Sequence, residues 1–342
     1  MKFINAKRIL VIRFSSLGDV LLTTPFLRVV KNKYPKIEID YLIKDSFIDA
    51  IKLNPNISNI FSWKTEDDLE SLISQLKLAN YDYIIDLQNN FRSRKVVSKL
   101  GKSCFSFKKP NIKKFLLVNF KYNLLKNEKS IPERYINVIP ELQIDEKGLE
   151  LFIPSENKLE NLAEKAIIGL APGAFHFTKR YPIDYFAKVG NMLKNDGFEI
   201  AIFGGKSDRE ICSELNSKIE GSFDFSNDNK LFETASKMKN CKLVICNDSG
   251  LMHTATAVGI PVVSIFGSTV KEFGFSPFGV ANLIIENNNL SCRPCSHIGK
   301  SVCKKKHFKC MLDLNPNLVY EKTIKFMSSL WKNYGGFFII YW

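Results

Sequence analysis

The sequence predicts an α/β protein built from two doubly wound parallel-sheet domains, and three observations predict it. The 342 residues exceed what one ordinary core serves and suit two domains. Short β-branched runs alternate with helical stretches from the N-terminus onward, the pattern of parallel strands joined by crossover helices. That alternation blurs across residues 131–159 and then restarts at Ala166. The composition, 45% hydrophobic and 25% charged, is that of a folded globular protein and favours neither disorder nor a membrane-spanning class.

In order, the first half reads as a strand at Ile9 to Phe14, a helix at Gly18 to Lys33 and a strand at Glu38 to Ile43. A strand at Ile57 to Ser62, a helix at Asp67 to Leu78 and a strand at Asp82 to Leu87 follow. Pro132, Pro140 and Pro154 then punctuate a polar stretch that reads as edge structure and linker. The second half reads as a strand at Ala166 to Leu170, a helix from Pro182 to Asn195 stopped by Gly197, a strand at Phe198 to Phe203 and a helix at Ser207 to Ile219. Pro at the first turn and Gly past the end match the asymmetry of helix termini. Strands at Leu243 to Cys246, Val262 to Phe266 and Asn282 to Glu286 and a helix near Asn317 to Lys332 complete it. The domains are therefore expected at 1–155 and 156–315, with 316–342 a helix and tail placed to pack back on the first domain.

The apolar run after Lys2, Lys7 and Arg8 is too short for a signal-peptide core, so a cytoplasmic protein is expected. The apolar end Phe337 to Trp342 is too short to cross a bilayer. The formal charge is +14, and it is concentrated. From Arg92 to Lys129 twelve Lys and Arg residues stand against one acid, Glu128, with Phe105, Phe107, Phe115, Phe120 and Tyr122 interleaved. A solvated basic face, a membrane or acidic-acceptor surface, and a nucleic-acid surface all fit this field. No helix-turn-helix, zinc-finger array or aromatic RNA-binding signature supports the last, and no nucleic-acid partner is expected.

In open parallel sheets, ligands bind beyond the carboxyl ends of the strands. Four loops there are unusual. Arg13 to Asp19 is a small-residue turn into a helix, in which Gly18 permits close backbone approach and Asp19 offers a carboxylate in the first turn. Composition alone leaves simple helix-start stabilisation as the plainer account of Asp19. Ala171 to Pro182 sets Lys179 and Arg180 beside exposed backbone amides, a combination that suits a diphosphate. Phe203, Gly204, Gly205 and Lys206 precede Asp208 and Glu210, where a carboxylate can accept ribose hydroxyls. Asn247 to His253 turns from strand to helix through Asp248, Ser249 and Gly250; it reads as a phosphate grip with His253, or as an N-cap and a packed histidine. There is neither a G-x-x-x-x-G-K-[ST] loop nor a G-x-G-x-x-G fingerprint, which disfavours P-loop NTPases and nicotinamide dehydrogenases. No two aspartates stand i, i+2, so a metal-holding aspartate pair is unsupported.

Five segments in this order resemble the heptosyltransferases of glycosyltransferase family nine, over nearly the whole chain. They are R-F-S-S-L-G-D from Arg13 to Asp19, D-L-Q-N-N-F-R-S from Asp86 to Ser93, P-G-A-F-H-F-T-K-R-Y-P from Pro172 to Pro182, Gly204 with Gly205, and D-S-G-L-M-H from Asp248 to His253. The resemblance implies a GT-B architecture of two Rossmann-like domains facing a central cleft, with inversion and no required cofactor. It implies an ADP-heptose donor in the second domain and a lipid A or core-oligosaccharide acceptor in the first, at the cytoplasmic face of the inner membrane. By the same resemblance Asp19 is the general base. Lys179, Ser249, Gly250 and His253 clamp the diphosphate, and Asp248 belongs to the same donor loop; Arg180, Gly205 and Glu210 are further donor-side candidates. Arg92 and Arg94 are acceptor anchors with Arg13, Ser16 and Gly18 beside them, since such acceptors carry carboxylates and phosphates. Many relatives have Trp where Tyr181 stands and Thr where Ser249 stands, and Phe175, His176 and Thr178 receive no role.

Cys292, Cys295, Cys303 and Cys310 form C-x2-C-x7-C-x6-C with His297 and His307 nearby. The first pair has metal-ligand spacing and the second is loose, so a structural knuckle of zinc or another metal and reduced loop cysteines stand as two readings. Two readings also compete with the transferase of ADP-heptose: a family-nine enzyme using another nucleotide sugar or surface glycan, and a non-catalytic protein that binds nucleotide or anionic glycan.

Overall fold

All strand pairing in the computed structural model is parallel, in two separate sheets. The structure describes residues 3, 6–154 and 166–333; the expected boundary at 155/156 and the apolar end Phe337 to Trp342 lie outside them. The chain divides into two units, one of Met1–Asn111 and Lys129–Ile153, the other of Ile112–Glu128 and Pro154–Trp342.

In the first unit the strands are β1 (Arg8–Ile12), β2 (Glu38–Lys44), β3 (Asn59–Trp63), β4 (Tyr83–Asp86) and β5 (Cys104–Ser106). Their order in the sheet is β3-β2-β1-β4-β5. The central strand β1 is covered on both faces, so Ile9, Leu10, Val11 and Ile12 are all buried, which is why it reads as a continuous apolar run instead of alternating. The helix expected over Gly18 to Lys33 is two helices, Leu17–Leu21 and Thr24–Lys33. Pro25 explains the break: lacking an N–H, it fits the first turn of a new helix better than the interior of a long one.

The stretch expected as edge structure and linker begins instead with a helix, Ile131–Ile136. Ser130 and Glu133 cap it reciprocally, and Pro132 occupies the first turn, where proline is tolerated. Ile131, Tyr135 and Ile136 are buried, and the helix packs on Thr24–Lys33. Inside the basic run lie β5 and the helix Phe91–Leu100, neither of which the hydrophobic pattern marked.

The second unit contains β6 (Ile167–Ala171), β7 (Glu199–Ile202), β8 (Phe223–Asp224), β9 (Cys241–Asn247), β10 (Val262–Phe266) and β11 (Asn282–Glu286), ordered β11-β10-β9-β6-β7-β8. The two-residue β8 had no visible signal. Part of the basic run belongs here: the helix Asn111–Phe120 brings Leu117, with Leu125 after it, against Val270 and Phe273. The helix Pro316–Asn333 packs on Ile183–Asn195 within this unit, with Val319 and Met327 in its core.

Candidate active site

Each sheet reverses its winding direction once, between β1 and β4 in the first unit and between β6 and β9 in the second. Such reversals leave a crevice at the carboxyl ends of the strands, the usual place for a ligand in open α/β sheets. Four of the five segments singled out in the sequence follow these four strands, and Gly204 with Gly205 follows β7.

In the first unit, Arg13 leaves the end of β1 and is buried, 6% exposed. One guanidinium nitrogen donates to Leu87 O at 2.8 Å, across the reversal, and another meets Asp19 Oδ1 at 2.6 Å. The second Asp19 oxygen accepts from Ser16 Oγ at 2.9 Å and Ser16 N at 3.2 Å. Asp19 is thus held at the start of Leu17–Leu21 by a cation and a helix cap together, with the carboxylate about one-fifth exposed. Burial works against the Arg13 charge, but Asp19 and the nearby Tyr135 and Tyr41 outweigh it and leave the guanidinium above its ordinary pKa. Gly18 is buried in the same short helix.

The loop after β4 supports this arrangement with residues whose partners were not foreseeable from local sequence. Gln88 Oε1 accepts from Phe14 N at 3.0 Å. Asp86 holds its own loop through Gln88 N, Asn89 N and Ser93 Oγ, and Asn90 caps Phe91–Leu100 through Ser93 N. The repeated polar residues from Asp86 to Ser93 therefore serve first to fix loop geometry. Arg92 pairs with Glu66 at 2.5 Å and lines a cavity of about 310 Å3 with Ser15, Asn90, Lys44, Trp63 and Lys64. Lys44 and Lys64 are additions to the sequence reading. Arg94 Nε donates to Asn89 Oδ1 at 2.9 Å. Lys109 donates to Asn89 O at 3.1 Å, and burial, with repulsion from Arg13, pushes its ammonium below the usual lysine pKa.

In the second unit, β6 runs into Pro172 and Gly173. A Cβ on Gly173 would stand 2.4 Å from the Asp208 carboxyl carbon, so only glycine lets these loops meet. The short turn Phe177–Lys179 aims Lys179 at the loop after β9: its Nζ lies 2.7 Å from Asp248 Oδ2, which also accepts from Thr269 Oγ1 at 2.7 Å. Asn247 joins the two loops, accepting from Tyr181 N at 3.0 Å and donating to Pro172 O at 2.7 Å. Ser249 is the N-cap of Gly250–Ala257, yet its Oγ is buried with no hydrogen-bond partner among the described residues. His253 lies buried on the same helix. Lys179, Asp248, Ser249, Gly250 and His253 are thus gathered at one reversal.

The remaining donor-side candidates are placed differently. Arg180 Nε donates to Ala174 O at 2.6 Å and braces the Pro172 loop. Gly205 N donates to Asp208 Oδ2 at 3.2 Å, next to Gly173, whereas Glu210 is exposed in the first turn of Arg209–Lys218. Asp208, read from the sequence as a carboxylate for ribose hydroxyls, here accepts from Gly205 N, and Thr269, given no role in the sequence, donates to Asp248.

The family model of glycosyltransferase family 9 (heptosyltransferase) matches residues 69–306. The chain belongs to that family. It is a glycosyltransferase, and its two parallel-sheet units are the α/β fold seen in family members. Lipooligosaccharide heptosyltransferase 2 of Campylobacter jejuni is 29% identical over 93% of this chain and 96% of its own length. Lipopolysaccharide heptosyltransferase 2 of Salmonella typhimurium is 24% identical over 78% and 84%. Among solved structures, the family 9 glycosyl transferase of Veillonella parvula superposes with a TM-score of 0.76 at 23% identity, covering 94% of this chain and 98% of that one. The ADP-heptose LPS heptosyltransferase II of Escherichia coli gives 0.68 at 20% identity, covering 94% and 99%.

Proposed function

We propose that this glycosyltransferase moves heptose from ADP-heptose to a lipopolysaccharide core or lipid A acceptor, with inversion and without a catalytic metal. The observation that carries the proposal is the second-unit cluster: Lys179 beside Asp248, and a buried, unsatisfied Ser249 Oγ at a helix N-terminus on a sheet reversal. That arrangement offers a cation, free backbone N–H groups and an unused hydroxyl, the three things a diphosphate needs. Lys179 keeps donors beyond the one facing Asp248, and Gly250 permits close approach of the phosphates. His253 adds a titratable group on the same helix. Gly205, Arg180 and Glu210 lie on the neighbouring donor-side loops.

On the acceptor side, Asp19 takes the proton of the attacking hydroxyl as its oxygen bonds to the anomeric carbon. The bond to the diphosphate breaks on the opposite face, and ADP departs with its charge held by the clamp. Arg13 and Ser16 position the Asp19 carboxylate. Arg92, with Lys44 and Lys64 in its cavity, meets acceptor phosphates or carboxylates, and Arg94 extends that basic edge.

Peripheral contact with the inner leaflet completes the reading. Ile112, Phe115, Phe120 and Tyr122 are exposed among lysines, and no helix among the described residues is long and apolar enough to cross a membrane. The test is a set of nucleotide sugars with purified lipid A-type acceptor, following ADP release and product mass. Transfer of heptose from ADP-heptose is expected. Faster transfer from another nucleotide sugar would replace the donor, and nucleotide binding without turnover of any sugar would reduce the chain to a binding protein.

A further inference from the structure

Asn287 to Phe308 forms neither helix nor strand, a long unstructured connection for the interior of a folded unit. It carries Arg293, Lys300, Lys304, Lys305 and Lys306 and no acidic residue. Arg293 is countered from just outside the segment by Glu286 at 2.5 Å, which leaves the four lysines with no acid beside them in the segment. Three of the four clustered cysteines lie within it, and the fourth, Cys310, is buried in the short helix that follows. All four line one cavity of about 30 Å3, together with Thr178, Ser268 and His307. That volume has room for an ion or a water, and none for an organic ligand.

His307 decides the ligand set. Its Nδ1 accepts from Lys309 N at 3.0 Å, so in the neutral ring the proton sits on Nε2, which lies 3.7 Å from Cys292 Sγ. A ring held in that tautomer donates to sulfur and has no lone pair left on Nε2 for a metal. It is the outer partner of a thiolate, not a fourth ligand. The sulfurs are free thiols, and they are not yet closed around one point: among the described residues, no group of three or more His, Cys, Asp or Glu is set to hold an ion. A tetrathiolate site would require the four sulfurs to move together.

We propose that Cys292, Cys295, Cys303 and Cys310 take up one zinc ion in a closed tetrathiolate site. Four thiols release four protons, and the resulting cluster carries a net charge of about −2, opposite in sign to the lysines of the segment. The site is structural, with no open position for chemistry. Its consequence reaches the proposed donor clamp through backbone contacts. Thr178 N donates to Lys300 O at 3.0 Å, Lys300 N donates to Thr178 Oγ1 at 2.8 Å, and Cys295 N donates to Ser268 O at 3.2 Å. Thr178 precedes Lys179, and Thr269, which follows Ser268, holds Asp248. A fastened loop keeps both halves of the Lys179–Asp248 pair in place.

The test uses the full chain purified from zinc-supplemented medium, with metal measured by mass spectrometry. One zinc per chain is expected, retained in Cys104→Ser and lost in Cys292→Ser and Cys303→Ser. Should those variants fail to fold, the wild type still decides. Alkylation of Cys292 and Cys303, located by peptide mapping, is expected to accelerate about tenfold when a chelator removes the ion. A folded chain that holds no zinc after reconstitution, a Cys292–Cys295 disulfide, or alkylation indifferent to chelator would each overturn the proposal. None of these readouts involves sugar transfer, so the site fails or stands independently of the proposed reaction.

Discussion

Replacing Asp19 by Asn separates the two things this carboxylate does. The Arg13 to Asp19 contact of 2.6 Å corresponds to about 6 kcal/mol of gross attraction at an effective dielectric near 20. Most of that offsets the desolvation of a guanidinium that is buried. Removing the negative partner leaves Arg13 with Leu87 O and the Tyr135 ring 5.9 Å away. A fully buried pair broken on one side costs about 3 to 5 kcal/mol; with Asp19 partly in solvent we expect about 2 kcal/mol, read as a shift in the urea midpoint at unchanged slope. The amide still accepts from Ser16 N, so the helix start survives. Activity should fall further than stability explains: the loss of a general base is expected to lower kcat by about 10² to 10⁴, or roughly 3 to 5.5 kcal/mol. Arg13→Met is the control. It should destabilise comparably but keep the carboxylate, and so lose less rate. ADP affinity, measured by calorimetry, should stay within about twofold in Asp19→Asn, because the clamp residues lie elsewhere in the chain. If Asp19→Asn retains kcat within about threefold of wild type, or if Arg13→Met is the slower of the two, the general-base assignment is wrong.

Lys179→Met should weaken ADP binding about 10- to 150-fold, the worth of a charge-assisted contact; adding Asp248→Asn should recover stability without recovering affinity, as calorimetry and thermal melts on the same samples will show. Gly173→Ala forces a Cβ against the Asp208 carboxylate that holds Gly205 N, with an expected cost of about 1 to 3 kcal/mol in denaturant titration, and Asp208→Ala in the same chain should return part of it. The hydrogen bond from Arg28 holds Asp145 below the usual carboxylate range, against the opposing effect of burial. Its contribution is therefore present above the unfolded carboxylate pKa and lost as pH falls through the lower folded value. The melting-temperature gap between wild type and Asp145→Asn should accordingly be constant above about pH 5 and shrink below about pH 3.9; a gap that widens in acid would reverse the sign of this argument.

The parallel strands were legible because burial on both faces makes them continuous apolar runs, as in Ile9 to Ile12 and Ile167 to Leu170. The elements without a clear pattern are short or carry a residue that hides them. The β8 strand is two residues long, and β5 is three. The helix Ile131–Ile136 was masked by Pro132, a residue that breaks a helix interior but suits a helix start, and only the Ser130 and Glu133 cap distinguishes the cases. The Asn111–Phe120 helix presents Ile112 and Phe115 to solvent, so its apolar residues do not trace a single buried stripe.

The site shows a division between local and distant information. Strand-end motifs can be found by eye because small residues, a carboxylate and a helix start occur together within a few positions. Their partners cannot: Leu87 and Gln88 lie more than seventy residues from the loop they support, and Thr269 lies 21 residues from Asp248. The two reversals nonetheless solve one physical problem in the same way. A side chain at the end of the strand on one side donates to a loop carbonyl on the other, Arg13 to Leu87 O in the first unit and Asn247 to Pro172 O in the second. A crevice between diverging loops exposes carbonyls that neither strand pairing nor a helix can satisfy, and a buried unpaired carbonyl costs about as much as a lost hydrogen bond. One long or forked side chain satisfies that carbonyl and, with its remaining groups, fixes what comes next: the Asp19 carboxylate in one case, the Tyr181 backbone just past Lys179 in the other. The residues that hold these crevices in shape are therefore also the ones that aim the proposed chemistry, which is why their substitution should cost stability and rate together, whereas substitution of Lys179 should cost ligand affinity first.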